Sequence, residues 1–217
     1  LEMYKVPTNS TLPQPQLIPA KSMVMDIQGH RSDVRAVALS GDGTSLATCS
    51  TDGVKLWSTA TNSCIRNCSA SAATDVNGTG LAFAPGGRLL VLVTKDGMID
   101  IIDTASGMCI QSIPRAHHEE SADADDEDSS ASGVPIWAVA MRPDGKGFCT
   151  GGADKFVKFW EFESEGEDEP DSIGFGQHKV HVSLEKQLKM DSDVLCLCYN
   201  HQKSSEKLLV AIGLLDS

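Results

Sequence analysis

His30, Ser50, Asp52 and Trp57 fall in one short stretch of the chain, and the first three are the residue types of an acyl-transfer triad. In such a triad the imidazole takes the serine proton while the carboxylate fixes the imidazole tautomer. The chemistry also needs an exposed nucleophile and convergent N–H donors for an oxyanion, and the sequence carries a motif for neither. A second candidate, the "PDGKG" of Pro143 to Gly147, has the flavour of a phosphate loop. It lacks the spacing and the Ser/Thr of a nucleotide loop and opens no helix, so it reads as a hairpin turn. Seven cysteines (Cys49, Cys64, Cys68, Cys109, Cys149, Cys196, Cys198) form no Cys-x-x-Cys pair, which argues against a zinc site. Several of them sit in apolar strand patterns, where a reduced cysteine behaves as a small hydrophobe and fits a reducing compartment. No metal and no cofactor is expected.

The elements that hold these residues come from a repeat. Asp33 to Cys68 ("DVRAVALSGDGTSLATCSTDGVKLWSTATNSCIRNC") aligns with Gly78 to Ile113 and with Pro135 to Phe162, and a shorter copy runs from Ser192 to Ser217. Each copy opens with an alternating strand, as at Val34, Ala36, Ala38 and at Ile136, Ala138, Ala140. A glycine-containing turn follows, then a second strand, then a turn led by Asp52, Asp96, Asp154 or Asp216. A third strand ends near Trp57, Asp103 or Trp160. The turn aspartates are 44, 58 and 62 residues apart, close to the ~40–45 residues of a four-stranded propeller blade once insertions are removed.

The repeat therefore predicts an all-β chain, a β-propeller of about four blades whose ring is incomplete. The expected division is the end of a preceding blade at 1–6 and a linker over 7–28, then blades at 29–76, 77–116 and 117–189 and a truncated blade at 190–217. Acidic insertions are expected in the third blade at 119–132 and 163–178. A lone four-stranded unit exposes faces and edges that only neighbouring blades can cover, so further blades are expected on both sides.

Formal charge is -12, which taken alone argues against nucleic acid. The acids are concentrated, however: Glu119 to Asp128 and Glu161 to Asp171 hold seven each and contain no Lys or Arg. Without them sixteen acids face eighteen bases, so the remaining body is nearly neutral. The acidic runs are too polar and charged to fold alone, and they either stay solvated, repel RNA or attract basic tails. Ser164, followed three residues later by Glu167, suits an acidophilic kinase. No apolar run approaches the ~20 residues of a membrane helix, and no membrane partner is expected.

"GH" at Gly29-His30, "STDGVKLW" at Ser50 to Trp57 and "GGADKFVKFW" at Gly151 to Trp160 resemble the WD-repeat propellers. In that family a loop His, a second-strand Ser or Thr, a turn Asp and a third-strand Trp form a hydrogen-bonded tetrad inside a blade. The resemblance implies His30, Ser50, Asp52 and Trp57 for the first blade, with Asp154 and Trp160 in the third. There Gly152 stands where Ser50 stands, and the histidine is His117 or His118. On this reading the His-Asp pair is structural and the chain is not an enzyme.

The order of "GHRSDVRAVALS", "VKLWSTATNSCIR", "IWAVAMRPDGKGFCTGGADKFVKFWEF" and "DSDVLCLCYN" is similar to the tandem-propeller WD-repeat proteins of the nucleolar small-subunit processome, the small nucleolar RNA-associated type. That resemblance implies a noncatalytic scaffold for maturation of small-subunit ribosomal RNA in the nucleolus. Its implied partners are other WD-repeat processome proteins and, directly or indirectly, small nucleolar ribonucleoprotein and pre-ribosomal RNA. Candidate contacts are Arg31, Arg35, Arg115 and Lys155, cations in loops and turns that could meet phosphates or acidic partner loops. The competing reading is a peptide-recognition module of a chromatin or ubiquitin-ligase complex, which would bind at the mouth of the propeller channel.

Overall fold

The structure, a computed structural model, describes residues 2–5, 18–22, 29–70, 76–118, 133–165, 179–200 and 208–215. Every regular element among them is a strand, and all strand pairings are antiparallel. Strands β1 (Glu2–Lys5) and β2 (Ile18–Ser22) pair with each other. Three four-stranded meanders follow. The first is β3 (Ala36–Leu39), β4 (Ser45–Ser50), β5 (Gly53–Ser58) and β6 (Cys64–Cys68). The second is β7 (Gly78–Phe83), β8 (Leu89–Thr94), β9 (Ile99–Asp103) and β10 (Met108–Ile113). The third is β11 (Ile136–Met141), β12 (Gly147–Gly152), β13 (Phe156–Glu165) and β14 (Lys179–Lys189). A last pair is β15 (Val194–Tyr199) with β16 (Val210–Leu214). This is the propeller plan, with each meander one blade.

Two expected boundaries move. The linker expected over 7–28 contains β2. The insertion expected from 163 gives way to strand as far as Glu165, because Val180 and Val182 of β14 extend an apolar alternation that β13 can pair with. Ser164 consequently sits opposite Val180 in a ladder. The 119–132 insertion, most of the second one and Asp216 lie outside the described residues.

Successive blades pack face to face. Cys49, Val54, Leu56 and Cys68 of the first meet Leu81, Leu90, Leu92 and Ile102 of the second. Val91, Val93, Ile99 and Ile101, on the other face of the second, meet Ile136, Phe148, Trp160 and Val182 of the third. Cys149 and Val157 then meet Val194 and Tyr199. Because strand side chains alternate between faces, a β8 that is buried on both sides reads as the continuous apolar run Leu90, Val91, Leu92, Val93. Each fully buried Leu or Ile contributes about 1.5–3 kcal/mol of transfer free energy. The close approach of the first two blades depends on Gly78, where a Cβ would overlap the Cys49 thiol and Leu92 Cδ1.

The first strands of neighbouring meanders touch in turn, β3 with β7, β7 with β11 and β11 with β15, so they line the common axis. Three of them carry an extra residue near their start: Thr79, Trp137 and Leu195 each interrupt the register with the second strand. Thr79 uses its hydroxyl to bond Ile136 O of the next blade. At the rim the Gln111 side chain donates to Val182 O at 2.9 Å and accepts from Val182 N–H at 2.7 Å. An amide side chain thus takes the place of a neighbouring strand against the outer edge of β14.

Candidate functional site

The Asp-led turn and the loop before each first strand lie at the same end of a meander, because the turn joins the second strand to the third. In the first blade this end is tied by four side chains. His30 Nδ1 lies 2.6 Å from Asp52 Oδ1, and His30 Nε2 lies 2.7 Å from Thr48 Oγ1. Trp57 Nε1 donates to the same Thr48 oxygen at 2.8 Å. The other Asp52 oxygen accepts the Arg31 N–H at 2.9 Å.

One proton arrangement satisfies every member: the indole donates to Thr48, whose hydroxyl donates to His30 Nε2, and Nδ1–H donates to the carboxylate. Burial opposes charge on Asp52, but the Arg31 N–H and the His30 and Ser50 side chains bring its carboxyl down to about 2. The imidazole nitrogen that a triad would use to accept a serine proton is already engaged by Thr48. The acyl-transfer arrangement is absent from these residues.

Ser50, the hydroxyl expected in the tetrad, is replaced there by Thr48. The register puts Leu46 opposite Trp57 and Thr48 opposite Lys55, whereas Ser50 faces Gly53 at the turn, beyond reach of the indole. Ser50 is buried and shares a hydrogen bond with the Ser32 hydroxyl.

The third blade repeats the geometry with a fuller burial. His117, and not His118, places Nδ1 2.8 Å from Asp154 Oδ1 and Nε2 2.7 Å from Thr150 Oγ1, while Trp160 Nε1 donates to Thr150 at 2.8 Å. Thr150 fills the role that a comparison of Gly152 with Ser50 leaves vacant. His118 is exposed and bonds Arg115 O at 3.1 Å.

Lys158 is the member that sequence reasoning missed. Its ammonium is buried, 3.5 Å from Asp154 Oδ2, and donates to Ala116 O at 2.8 Å. Asp154 Oδ2 makes no hydrogen bond and depends on that ammonium for charge compensation. Burial pushes the His117 imidazole below its ordinary value, against the pull of Asp154, so the neutral form is held. Burial also opposes charge on Asp154, but His117, the Phe156 N–H and Lys158 keep its carboxyl below the usual range. A signal existed, since "VKLW" and "FVKFW" carry lysine at the same step, Lys55 and Lys158.

The second blade has the same strands without the polar set. The register puts Leu92 where Thr48 and Thr150 stand, and Ile102 where Trp57 and Trp160 stand. Both are fully buried.

Arg31, Arg35, Arg115 and Lys155 are all exposed at this loop end. Arg115 (φ 52°) and Lys155 (φ 64°) are held in the left-handed region, and the turn residues of the first two blades that match Lys155 are Gly53 and Gly97. Among the described residues none of these four cationic groups has a hydrogen-bonded or ionic partner. At the opposite end two arginines are paired: Arg88 with Asp103 at 3.4 Å, and Arg142 with Asp144 at 2.8 Å and Glu185 at 3.6 Å.

A cavity of about 550 Å³ borders the first blade beside Arg31, Asp52, Lys55, Arg66 and Asn67. Lys55 Nζ donates to Asn67 Oδ1 there at 2.8 Å. The equivalent surface of the third blade, around Lys158, is covered by the second blade. Among the described residues no His, Cys, Asp or Glu cluster could hold a metal ion. Burial pushes the thiols of Cys49, Cys68, Cys109 and Cys149 up to about 11, which leaves them inert as nucleophiles.

Comparison with known proteins agrees with this architecture. The family described as WD domain, G-beta repeat matches residues 21–58 and 129–161. WD repeat-containing protein 3 of Homo sapiens is 35% identical over 216 residues, which is 100% of this chain and 19% of that protein. The WD repeat-containing protein 3 homolog of Dictyostelium discoideum is 37% identical over 197 residues, 90% of this chain and 18% of its own length. U3 small nucleolar RNA-associated protein 12 of Saccharomyces cerevisiae is 31% identical over 217 residues, 100% of this chain and 20% of its own. The chain thus spans about a fifth of the length of these relatives.

Proposed function

From the premise that the chain is built of WD40 repeats and belongs with the WD-repeat β-propellers, we propose that it is a noncatalytic scaffold in assembly of the small-subunit processome. The observation that carries this reading is likeness along the whole chain to a protein whose name associates it with U3 small nucleolar RNA. The site geometry supports it. The only His-Asp pairs among the described residues are spent on tying a blade's entry loop to its own turn, and the exposed groups beside them are cations without a partner among the described residues, suited to docking. Docking through several separate loops on one rigid body gives avidity without chemistry.

The proposed partners are other WD-repeat processome proteins, small nucleolar ribonucleoprotein and pre-ribosomal RNA, and the proposed location is the nucleolus. Affinity purification of the full-length tagged protein after ultraviolet crosslinking tests the reading. Recovery of pre-ribosomal RNA with other processome WD-repeat proteins is expected. Histones or ubiquitin-ligase subunits, without ribosomal precursors, would overturn it in favour of a peptide-recognition module.

A further inference from the structure

We infer that the outer edge of β14, from Val180 to Leu184, is a strand-pairing surface for a second copy of this chain, and that Gln111 holds it closed in the single chain. The inference goes beyond the docking role above and concerns self-association.

β14 is the last strand of its sheet, so the edge turned away from β13 has no strand partner among the described residues. It is also long, with 11 residues against 5 in β6 and 6 in β10. Gln111 bonds both the N–H and the C=O of Val182, so these groups point away from β13. Alternation along a strand turns the main-chain groups of Val180 and Leu184 the same way. Three successive edge positions are therefore set to take an antiparallel strand, and a side chain fills the middle one.

The two halves of this edge are guarded differently. Past the register shift at Glu185, the half toward β15 carries Lys186 and Lys189, both exposed, and edge lysines repel a like strand. From Val180 to Leu184 the sequence is "VHVSL", with no Lys, Arg, Asp or Glu. An uncharged stretch of this kind pairs readily with its own copy, and here Gln111 stands in for the missing lysines. The start of β10 is covered by main chain instead: Ser69 forms a parallel bridge with Met108 and donates its N–H to Gly107 O at 2.8 Å. A side chain leaves by changing rotamer, whereas a main-chain bridge opens only if a strand moves. Of the two outer edges, that of β14 is the one that can be vacated.

The occupant follows from the symmetry of the stretch. Antiparallel pairing about a two-fold axis at Val182 sets Val182 against Val182, Val180 against Leu184 of the other copy, and His181 against Ser183. Apolar groups meet apolar groups, and no like charges are opposed. Leu184, 46% exposed in the single chain, gains cover from Val180 of the second copy.

Sedimentation equilibrium and amide hydrogen exchange on the 217-residue chain test the inference. Gln111→Ala should tighten dimerisation about tenfold, the worth of two competing hydrogen bonds removed, with new protection at Val180 and Leu184. The unaltered chain should form the same dimer, with the same protected amides, about tenfold more weakly, which tests the surface without a substitution. Adding Leu184→Lys, at an exposed position, to Gln111→Ala should return the protein to single chains. A Gln111→Ala chain no more associated than the unaltered one, association indifferent to Leu184→Lys, protection gained elsewhere, or aggregates larger than a dimer would each overturn the proposal.

Discussion

The first and third blades carry one polar set twice: His30, Thr48, Asp52, Lys55 and Trp57 in one, His117, Thr150, Asp154, Lys158 and Trp160 in the other. Only what covers them differs. The third set lies under Val91, Val93, Ile99 and Ile101 of the second blade, and its aspartate side chain is 1% exposed. Among the described residues no sheet covers the first set, and its aspartate is 26% exposed. The same lysine is consequently a surface group bonded to Asn67 in one blade and a buried counter-ion in the other. Identical residues acquire different energetics from the neighbouring sheet and not from their own strand.

The largest test of that contrast is Trp160→Ala against Trp57→Ala. Loss of the buried indole should cost about 3–5 kcal/mol, read as lost hydrogen-exchange protection over β12 and β13 of the 217-residue chain. Loss of the partly exposed one should cost clearly less over β4 and β5. Equal losses would break the comparison. Next in size is Lys158→Met, which leaves a buried carboxylate uncompensated at a cost of about 3 kcal/mol, whereas Lys55→Met should stay within about 0.5 kcal/mol.

Acid sharpens the contrast further. The folded value of His117 is lowered, so the unfolded chain binds its proton first; the contribution is complete above the ordinary value of 6.5 and is lost as pH falls below it. Asp52, lowered from 3.8 to about 2, keeps its contribution until pH falls below 3.8. Protection of the third blade should therefore begin to fall near pH 6, and His117→Gln should abolish that early phase while leaving the Asp52 phase in place.

Smaller still, Thr48→Val should cost about 1–2 kcal/mol by orphaning the indole N–H, and Ser50→Ala should cost less. The reverse order would restore Ser50 to the tetrad. Smallest is Lys155→Gly, which relieves a left-handed backbone and should be neutral or stabilising by up to about 1 kcal/mol, measured as increased protection around the turn.

Much of this was legible in the chain. The alternation at Val34, Ala36, Ala38 and the Asp-led turns mark strands and hairpins, because period two and turn chemistry are local properties. His30, Asp52 and Trp57 stand out for the same reason. The hydroxyl was not legible: choosing Thr48 over Ser50 depends on cross-strand register, which a two-residue difference along one strand does not reveal. Burial of Lys158 depends on a neighbouring blade, and the exposure of Trp137 depends on a bulge that appears only when β11 meets β12.

The Gln111 contact at the rim has a mechanical consequence. Two hydrogen bonds to Val182 fasten the outermost strands of adjacent blades at a single residue, while the apolar contact runs from the inner strands out to Val182 itself. Sliding one blade past its neighbour would strain that clasp and the whole apolar face together. Prying them apart from the rim loads the clasp and the few apolar contacts beside it first, so the assembly resists shear better than peeling.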